Sequence, residues 1–484
     1  MNLADGIEIN ARARPDHPAI VAGAVTLSYA ELTDRVRATS ARFQSFGIRA
    51  GDVVGVCLKD TPDHLIANYA LARMGSVILP MDWRWTDAEK ITVAGHFAAK
   101  LVVVEIDAAP MGATPVRTLD ALPDAPAEHV DLDPMQGTNL PLLLSLSSGT
   151  TGRPKGPCIT HQQMLRRFWT HWINLGLNST DRYVSATPLY FGGGRTFAMS
   201  ILFAGGTVIL FPPPFDSAAL AGELERADAT STFLVPTQLR KLLDASEAEK
   251  AAMRRLRLLI SSGAPLDPDE KAAIAATLND NFVEYYASTE GGGISLATPE
   301  TRIVSPNSVG RPVFGVEVQV VSDDHDPLEP GTVGLLRYRG PGVAQGYFGE
   351  QEVDESPFRD GWFYPGDIAE IDAGGYVTLR GRRKDMIIRG GVNIYPPEIE
   401  QVLREHEDVE EAAVVGRPSQ RLGEDVVAFV VARQSVDGEA LKSWCATRLA
   451  PYKVPESVIF VDDLPRNSAG KVLKPALQAT FEKD

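Results

Sequence analysis

Along the first eighty residues the apolar positions switch between two periods, and glycines mark the switches. Residues 29–46 carry apolar side chains at helical spacing up to Gly47, and residues 65–74 do the same up to Gly75. Beside them stand two short apolar runs, Asp52-Val53-Val54-Gly55-Val56-Cys57-Leu58 and Val77-Ile78-Leu79-Pro80, which read as buried strands. The alternation returns at 200–265, where Thr207-Val208-Ile209-Leu210 and residues 256–260 read as strands with helices between them. Strand–helix–strand order predicts a layered α/β architecture. Residues 107–141, rich in Pro, Ala and Asp, read as a loop that crosses to the apolar run Leu142-Leu143-Leu144.

Near residue 309 the pattern changes. Val316-Glu317-Val318-Gln319-Val320 alternates with period two, residues 324–331 are turn-rich, and 333–338 resume a strand pattern, so a smaller β-rich subdomain is predicted. A domain boundary is predicted at Gly381-Arg382-Arg383-Lys384-Asp385. It leaves residues 1–383 as a large N-terminal domain and 384–484 as a small α+β one of ordinary domain size. Within the latter, residues 398–404 set Ile399, Val402 and Leu403 on one helical face. Strands at 412–415 and 426–431 and a helix at 438–449 follow.

Composition narrows the field. A chain of 484 residues exceeds one ordinary core. The net charge of −16 disfavours nucleic acid or an anionic membrane as the main partner, while leaving room for an anionic substrate held by local basic loops. Cys57, Cys158 and Cys445 are far apart and odd in number, which implies no disulfide framework. The eight histidines form no HExxH or Cys/His cluster, so no structural metal site is expected. The N-terminus carries Asp5 and Glu8 without a long apolar core, unlike a signal peptide. No stretch nears the roughly 18–20 apolar residues of a membrane span. A cytoplasmic protein is expected.

The chemistry is concentrated in Ser147-Ser148-Gly149-Thr150-Thr151-Gly152-Arg153-Pro154-Lys155-Gly156. Glycines let backbone N–H groups turn toward an anion, and the hydroxyls with Lys155 add donors and charge, so a phosphate chain is the ligand such a nest suits best. The P-loop register is absent, because Lys155 follows Pro154 and precedes Gly156. No Gly-x-Ser-x-Gly elbow is present, which removes a serine hydrolase.

Five segments in order resemble the adenylate-forming superfamily of acyl-CoA synthetases, adenylation domains and luciferases, across essentially the whole chain. They are the loop 147–156, Tyr286-Ala287-Ser288-Thr289-Glu290, Tyr364-Pro365-Gly366-Asp367, residues 381–400, and Pro465-Arg466-Asn467-Ser468-Ala469-Gly470-Lys471. The resemblance implies an acid–CoA ligase that uses ATP, Mg²⁺ and coenzyme A. Ser147, Ser148, Gly149, Thr150, Thr151, Gly152 and Lys155 would then hold phosphates. Adenine would stack on Tyr286, beside Ala287 and Ser288, against Gly263-Ala264-Pro265. Thr289 would bond a phosphate oxygen, and Glu290 would supply the carboxylate for Mg²⁺. Asp367 would accept the ribose hydroxyls, with Arg382 contacting ribose and phosphate. Lys471 would offset the charge of carboxylate and α-phosphate during adenylation. In such enzymes the small domain rotates after adenylation, which casts Lys384 as the hinge and Arg389, Gly390 and Gly391 as facing coenzyme A.

The acyl pocket is expected at Tyr190, Phe191, Gly192, Arg195, Val235, Tyr285 and Gly291, and its apolar, glycine-rich character suits an aliphatic or aromatic acid. Phe191 stands where many members of the superfamily carry histidine. The triple glycine 192–194 either widens the acid's space or makes a flexible turn. Arg195 pairs either with a second carboxylate of a diacid or with a salt-bridge partner. A homodimer stays open. Two rival functions also stay open, loading of a carrier-protein thiol and non-catalytic ATP binding.

Overall fold

A computed structural model describes residues 1–106, 108–124, 139–146, 156–349, 357–466 and 471–481. The chain forms two compact units. The larger takes in Met1–Pro306, Gly310–Glu317 and Arg339–Phe363, and the smaller Asn307–Val309, Val318–Tyr338 and Tyr364–Asp484.

Local signals set the helices of the larger unit. The Ser28 hydroxyl accepts the Glu31 N–H at 3.3 Å and the Glu31 carboxylate accepts the Ser28 N–H at 2.8 Å, a capping box that starts the helix Tyr29–Phe46. Gly47 ends it at φ 102°, a left-handed conformation that a Cβ would penalise. The next helix, Pro62–Met74, begins three residues before the predicted start, because Pro62 is well suited to a first helical position.

These helices cover two sheets. One has six strands, with Leu101–Val104, Val53–Cys57, Val77–Pro80 and Pro141–Leu144 parallel in that order. A short strand, Val116–Arg117, lies beside Leu101–Val104 within the stretch expected to be loop, its Val116 buried in the sheet's core. The other sheet has nine strands and a parallel centre. Phe282–Ser288, Leu258–Ser261, Ser231–Leu234, Arg182–Ser185 and Thr207–Leu210 are successive neighbours there.

In the smaller unit, Gly334–Arg339, Asp367–Ile371 and Val377–Arg382 form an antiparallel meander. The α+β part is built on the hairpin Val409–Ser419 and Gly423–Ala432. Both strands outrun the predicted 412–415 and 426–431, since the polar ends of an antiparallel pair can face water. The helix Pro396–Arg404 packs Ile399 and Leu403 into this core, each fully buried, which contributes roughly 1.5–3 kcal/mol per side chain.

Candidate active site

In an open parallel sheet, ligand groups gather where the strands end at their carboxyl termini, near the point where strand order reverses. The chain steps from Arg182–Ser185 outward to Thr207–Leu210, then returns to Ser231–Leu234 on the opposite side. Four adjacent strand ends around that reversal lead into the candidate residues. Arg182–Ser185 leads to Tyr190, Phe191 and Gly192. Ser231–Leu234 leads to Val235, Leu258–Ser261 to Gly263, Ala264 and Pro265, and Phe282–Ser288 to Thr289 and Glu290. The register aligns Leu234 with Ser261 and Ser261 with Glu284, so the first two exits are level, while Phe282–Ser288 runs four residues further before its turn. Val235 then lies under Gly263, whose Cβ, if present, would meet Val235 Cγ1 at 3.8 Å. The loop 147–155 lies outside the described residues.

Thr289, Glu290 and Gly291 form the tip of a hairpin between Phe282–Ser288 and Gly292–Ala297. The Gly291 N–H donates to the Ser288 hydroxyl at 2.9 Å. Tyr347 donates its hydroxyl to Glu290 Oε1 at 3.2 Å. Segment 346–348 is in turn bonded to the residues that follow loop 147–155, with Cys158 N–H on Gly346 O at 3.3 Å and Phe348 N–H on Gly156 O at 2.9 Å. Glu290 is half-buried, while among the described residues no group of three metal-ligating side chains forms. A single oriented carboxylate fits Mg²⁺, which keeps several waters and takes its other ligands from phosphates. Tyr286, Ala287 and Ser288 are half-buried on the same strand. Tyr285 points the other way. Its hydroxyl lies 2.6 Å from the Thr170 hydroxyl, and burial pushes its pKa up to about 12.

The turn before Gly192 is tied by three charged residues. Asp60 accepts the Leu189 N–H at 2.7 Å, Arg84 donates to the Tyr190 hydroxyl, and Arg195 Nη1 donates to the carbonyls of Leu189 and Tyr190 at 3.3 and 3.1 Å. The glycines are no flexible turn, since Gly192–Ala204 is a helix. A Cβ on Gly194 would sit 2.3 Å from Thr187 O and one on Gly193 2.8 Å from the Phe233 ring. Close packing is what these two glycines serve. Among the described residues Arg195 makes no salt bridge either. It is 1% exposed, its hydrogen bonds go to carbonyls, and its Nε has no partner among the described residues. Burial, with the charge of Arg167, lowers its pKa to about 9.

The smaller unit holds the other candidates. Register across the meander sets Asp367 opposite Arg382, and Arg382 Nε meets Asp367 Oδ1 at 2.7 Å. Arg382, Arg383 and Lys384 line a cavity of about 420 Å³ together with Pro365 and Gly366. Lys384 is exposed in a single 3₁₀ turn, Arg383–Asp385. Gly390 and Gly391, at φ 59° and 81°, make the two-residue turn between Ile387–Arg389 and Val392–Ile394, a geometry that calls for positive φ at both positions. Arg389 donates to Tyr452 O and to Glu456, each at 3.0 Å, so its guanidinium is engaged inside the unit. Lys471 is exposed and directly precedes Val472, which bridges to Arg466.

Sequence reasoning passed over Asp60, Arg84 and Arg167. Arg167 carried the clearest signal, a charged residue on the helical stripe of Met164, Phe168 and His171, all buried.

Parallel strand ends with a hydroxyl-and-carboxylate tip in the larger unit, and an Asp–Arg pair in the smaller, belong to a two-unit α/β enzyme. The chain belongs to the AMP-binding enzyme family. That family's profile matches residues 7–348, and the AMP-binding enzyme C-terminal domain matches 398–471. A feruloyl-CoA synthase from an Amycolatopsis species is 34% identical over 97% of both chains. ATP-bound MatB from Rhodopseudomonas palustris superposes with a TM-score of 0.90 at 31% identity, covering 100% of this chain and 99% of its own. The o-succinylbenzoate CoA synthetase MenE from Bacillus subtilis, solved with an acyl-adenylate intermediate, gives 0.89 at 26% identity over 98% and 97%.

Proposed function

We propose that this protein is an ATP-dependent acid–CoA ligase acting on an aliphatic or aromatic carboxylic acid. The observation that supports it best is that four adjacent parallel strands of one sheet lead at their carboxyl ends into Tyr190–Gly192, Val235, Gly263–Pro265 and the Thr289–Glu290 tip. In the first step a carboxylate oxygen bonds to the α-phosphorus of ATP and pyrophosphate leaves with its bonding pair, giving an acyl-adenylate. In the second the thiol sulfur of CoA bonds to the acyl carbon, AMP leaves, and the thiol proton passes to solvent.

Residue roles follow from chemistry and position. Thr289 donates to a phosphate oxygen at the hairpin tip. Glu290 is the side chain that would hold Mg²⁺, which supplies charge neutralisation along the phosphate chain when bound with ATP. Asp367, aligned by Arg382, accepts ribose hydroxyls. Lys471 places positive charge where carboxylate and α-phosphate repel one another, a contribution made in the transition state. Tyr190, Phe191 and Val235 face the acid. Residues 1–383 act as the adenylating domain and 384–484 as a mobile one hinged near Lys384, with the Gly390-Gly391 turn admitting the narrow thiol arm of CoA. ATP and CoA supply favours a cytoplasmic enzyme.

The test is pyrophosphate release from ATP and Mg²⁺ across aliphatic, aromatic and dicarboxylic acids, each with and without CoA. Release with one acid class, multiplied by CoA and accompanied by thioester, is the expected result. Release indifferent to CoA but coupled to a carrier-protein thiol moves the acceptor to a carrier. ATP binding without release for any acid overturns the ligase.

A further inference from the structure

The helix His161–Asn174 starts directly after the phosphate loop's exit strand and is fixed at its first turn. Gln163 closes a capping box with Thr160 and sends its Nε2 to Val343 O at 2.7 Å. One turn on, Arg167 is buried, with its guanidinium spread over three carbonyls. Nε donates to Gly342 O at 2.9 Å, Nη1 to Thr289 O at 3.2 Å, and Nη2 to Glu290 O at 2.6 Å. Glu290 O also accepts the Ala344 N–H at 2.8 Å. Two glycines make way for the arginine stem. A Cβ on Gly292 or on Gly342 would lie 2.9 Å from Arg167 Cγ, and Gly292 also sits at φ 74°.

Sequence separations of 122, 123 and 175 residues are closed by these three bonds. A tip of three residues has few other means of holding consecutive carbonyls in one orientation, and a planar five-donor fork supplies it where a lysine ammonium has no such geometry. We propose that Arg167 is a positioning residue for MgATP: by clamping the carbonyls of Thr289 and Glu290 it aims their side chains at the nucleotide's phosphates and cation. This rests on the reading above that these two side chains meet phosphate and Mg²⁺. Outer groups of this kind typically change metal affinity or activity about 10–100-fold when removed.

The experiment is calorimetric titration of the full-length, acid-free protein with MgATP, comparing wild type, Arg167→Met, Arg167→Lys, Thr289→Val and Glu290→Gln, with thermal midpoints in parallel. Pyrophosphate exchange against Mg²⁺ concentration adds the split between KM and kcat. The expected result is a Kd for MgATP raised about 10-fold or more in Arg167→Met. Arg167→Lys should stay raised even where its thermal midpoint returns to the wild-type value, with a higher Mg²⁺ requirement in exchange. If Arg167→Met does not fold, Arg167→Lys carries the test alone. Wild-type MgATP affinity in a folded Arg167→Lys, while Glu290→Gln and Thr289→Val are weakened, overturns the role of Arg167 and leaves the tip's reading standing. Unchanged affinity in Glu290→Gln and Thr289→Val removes that reading, and the positioning role with it.

Discussion

The turn at 289–291 and the turn at 390–391 both join short antiparallel strands through glycine-containing tips, yet they are held very differently. The first has its carbonyls on Arg167, a further N–H from Ala344, and the Tyr347 hydroxyl on its carboxylate. The second stands exposed, with the Gly390 N–H on Leu422 O at 2.7 Å and, among the described residues, no atom beyond its chain neighbours within 4 Å of where a Gly391 Cβ would be. The roles proposed for the two turns account for the contrast. A carboxylate and a hydroxyl that meet a polyphosphate must be aimed closely, and a misplacement of about 1 Å can cost on the order of 100-fold in rate. A turn that only lets a narrow thiol arm pass needs backbone without side chains, and glycine supplies that without a clamp.

Four changes would break or sharpen this contrast. The largest effect is expected from Lys471→Ala, which should slow adenylation by about 100-fold or more, by analogy with a removed transition-state donor. Pyrophosphate exchange reads that loss, while thioester formation from supplied acyl-adenylate should persist. Equal loss in both steps would deny a division of labour between the two units.

Next comes Gly293→Ala behind the clamped hairpin. Its new Cβ would lie 1.9 Å from the Tyr285 hydroxyl, and overpacking of this kind costs about 1–3 kcal/mol. Urea unfolding measures it, and a variant as stable as wild type would mean that the hairpin yields easily. Gly391→Val should instead leave stability nearly intact apart from about 1 kcal/mol for its positive φ, and slow thioester formation roughly 10-fold with exchange spared. Slowed exchange with normal thioesterification would reverse the assignment of that turn.

The smallest effect is a change of slope. Burial raises the Asp60 carboxyl from 3.8 to about 6, against the lowering influence of the Leu189 N–H and Arg84, with Asp82 adding to the rise. The folded protein therefore holds this proton more tightly than the unfolded chain. Asp60's contribution to stability is complete below pH 3.8 and is lost as pH rises through about 6. Asp60→Asn keeps an acceptor for the Leu189 N–H and removes that loss, so its stability relative to wild type should climb across this interval and level off above it. A flat difference would mean that Asp60 titrates normally.

What could be read from the sequence was local. The helix 29–46 was legible to the residue, because Ser28, Glu31 and Gly47 act within one turn of its ends. The strands 77–80 and 207–210 were equally plain, being unbroken apolar runs between turns. Phe191, Val235, Gly263 and Glu290 could be named as candidates. Their common placement at strand ends could not, since strand order depends on packing that no short window contains. Arg167, Asp60 and Arg84 went unnoticed for the same reason. Each acts on a backbone or hydroxyl group more than a hundred residues away, and the hydrogen bonds that give them meaning exist only in the fold. The pairing of Asp367 with Arg382 lies between these cases. Both residues were singled out, and the meander's register supplied the contact.

The most direct test of the ligase account is a single-turnover reaction with an accepted acid and ATP labelled at the α-phosphate, run without CoA and then supplied with it. The account predicts that pyrophosphate leaves first and that the label stays on the enzyme as acyl-adenylate, to be released as AMP with thioester only when CoA arrives. Formation of ADP, or AMP released at full rate before any CoA is added, would contradict it.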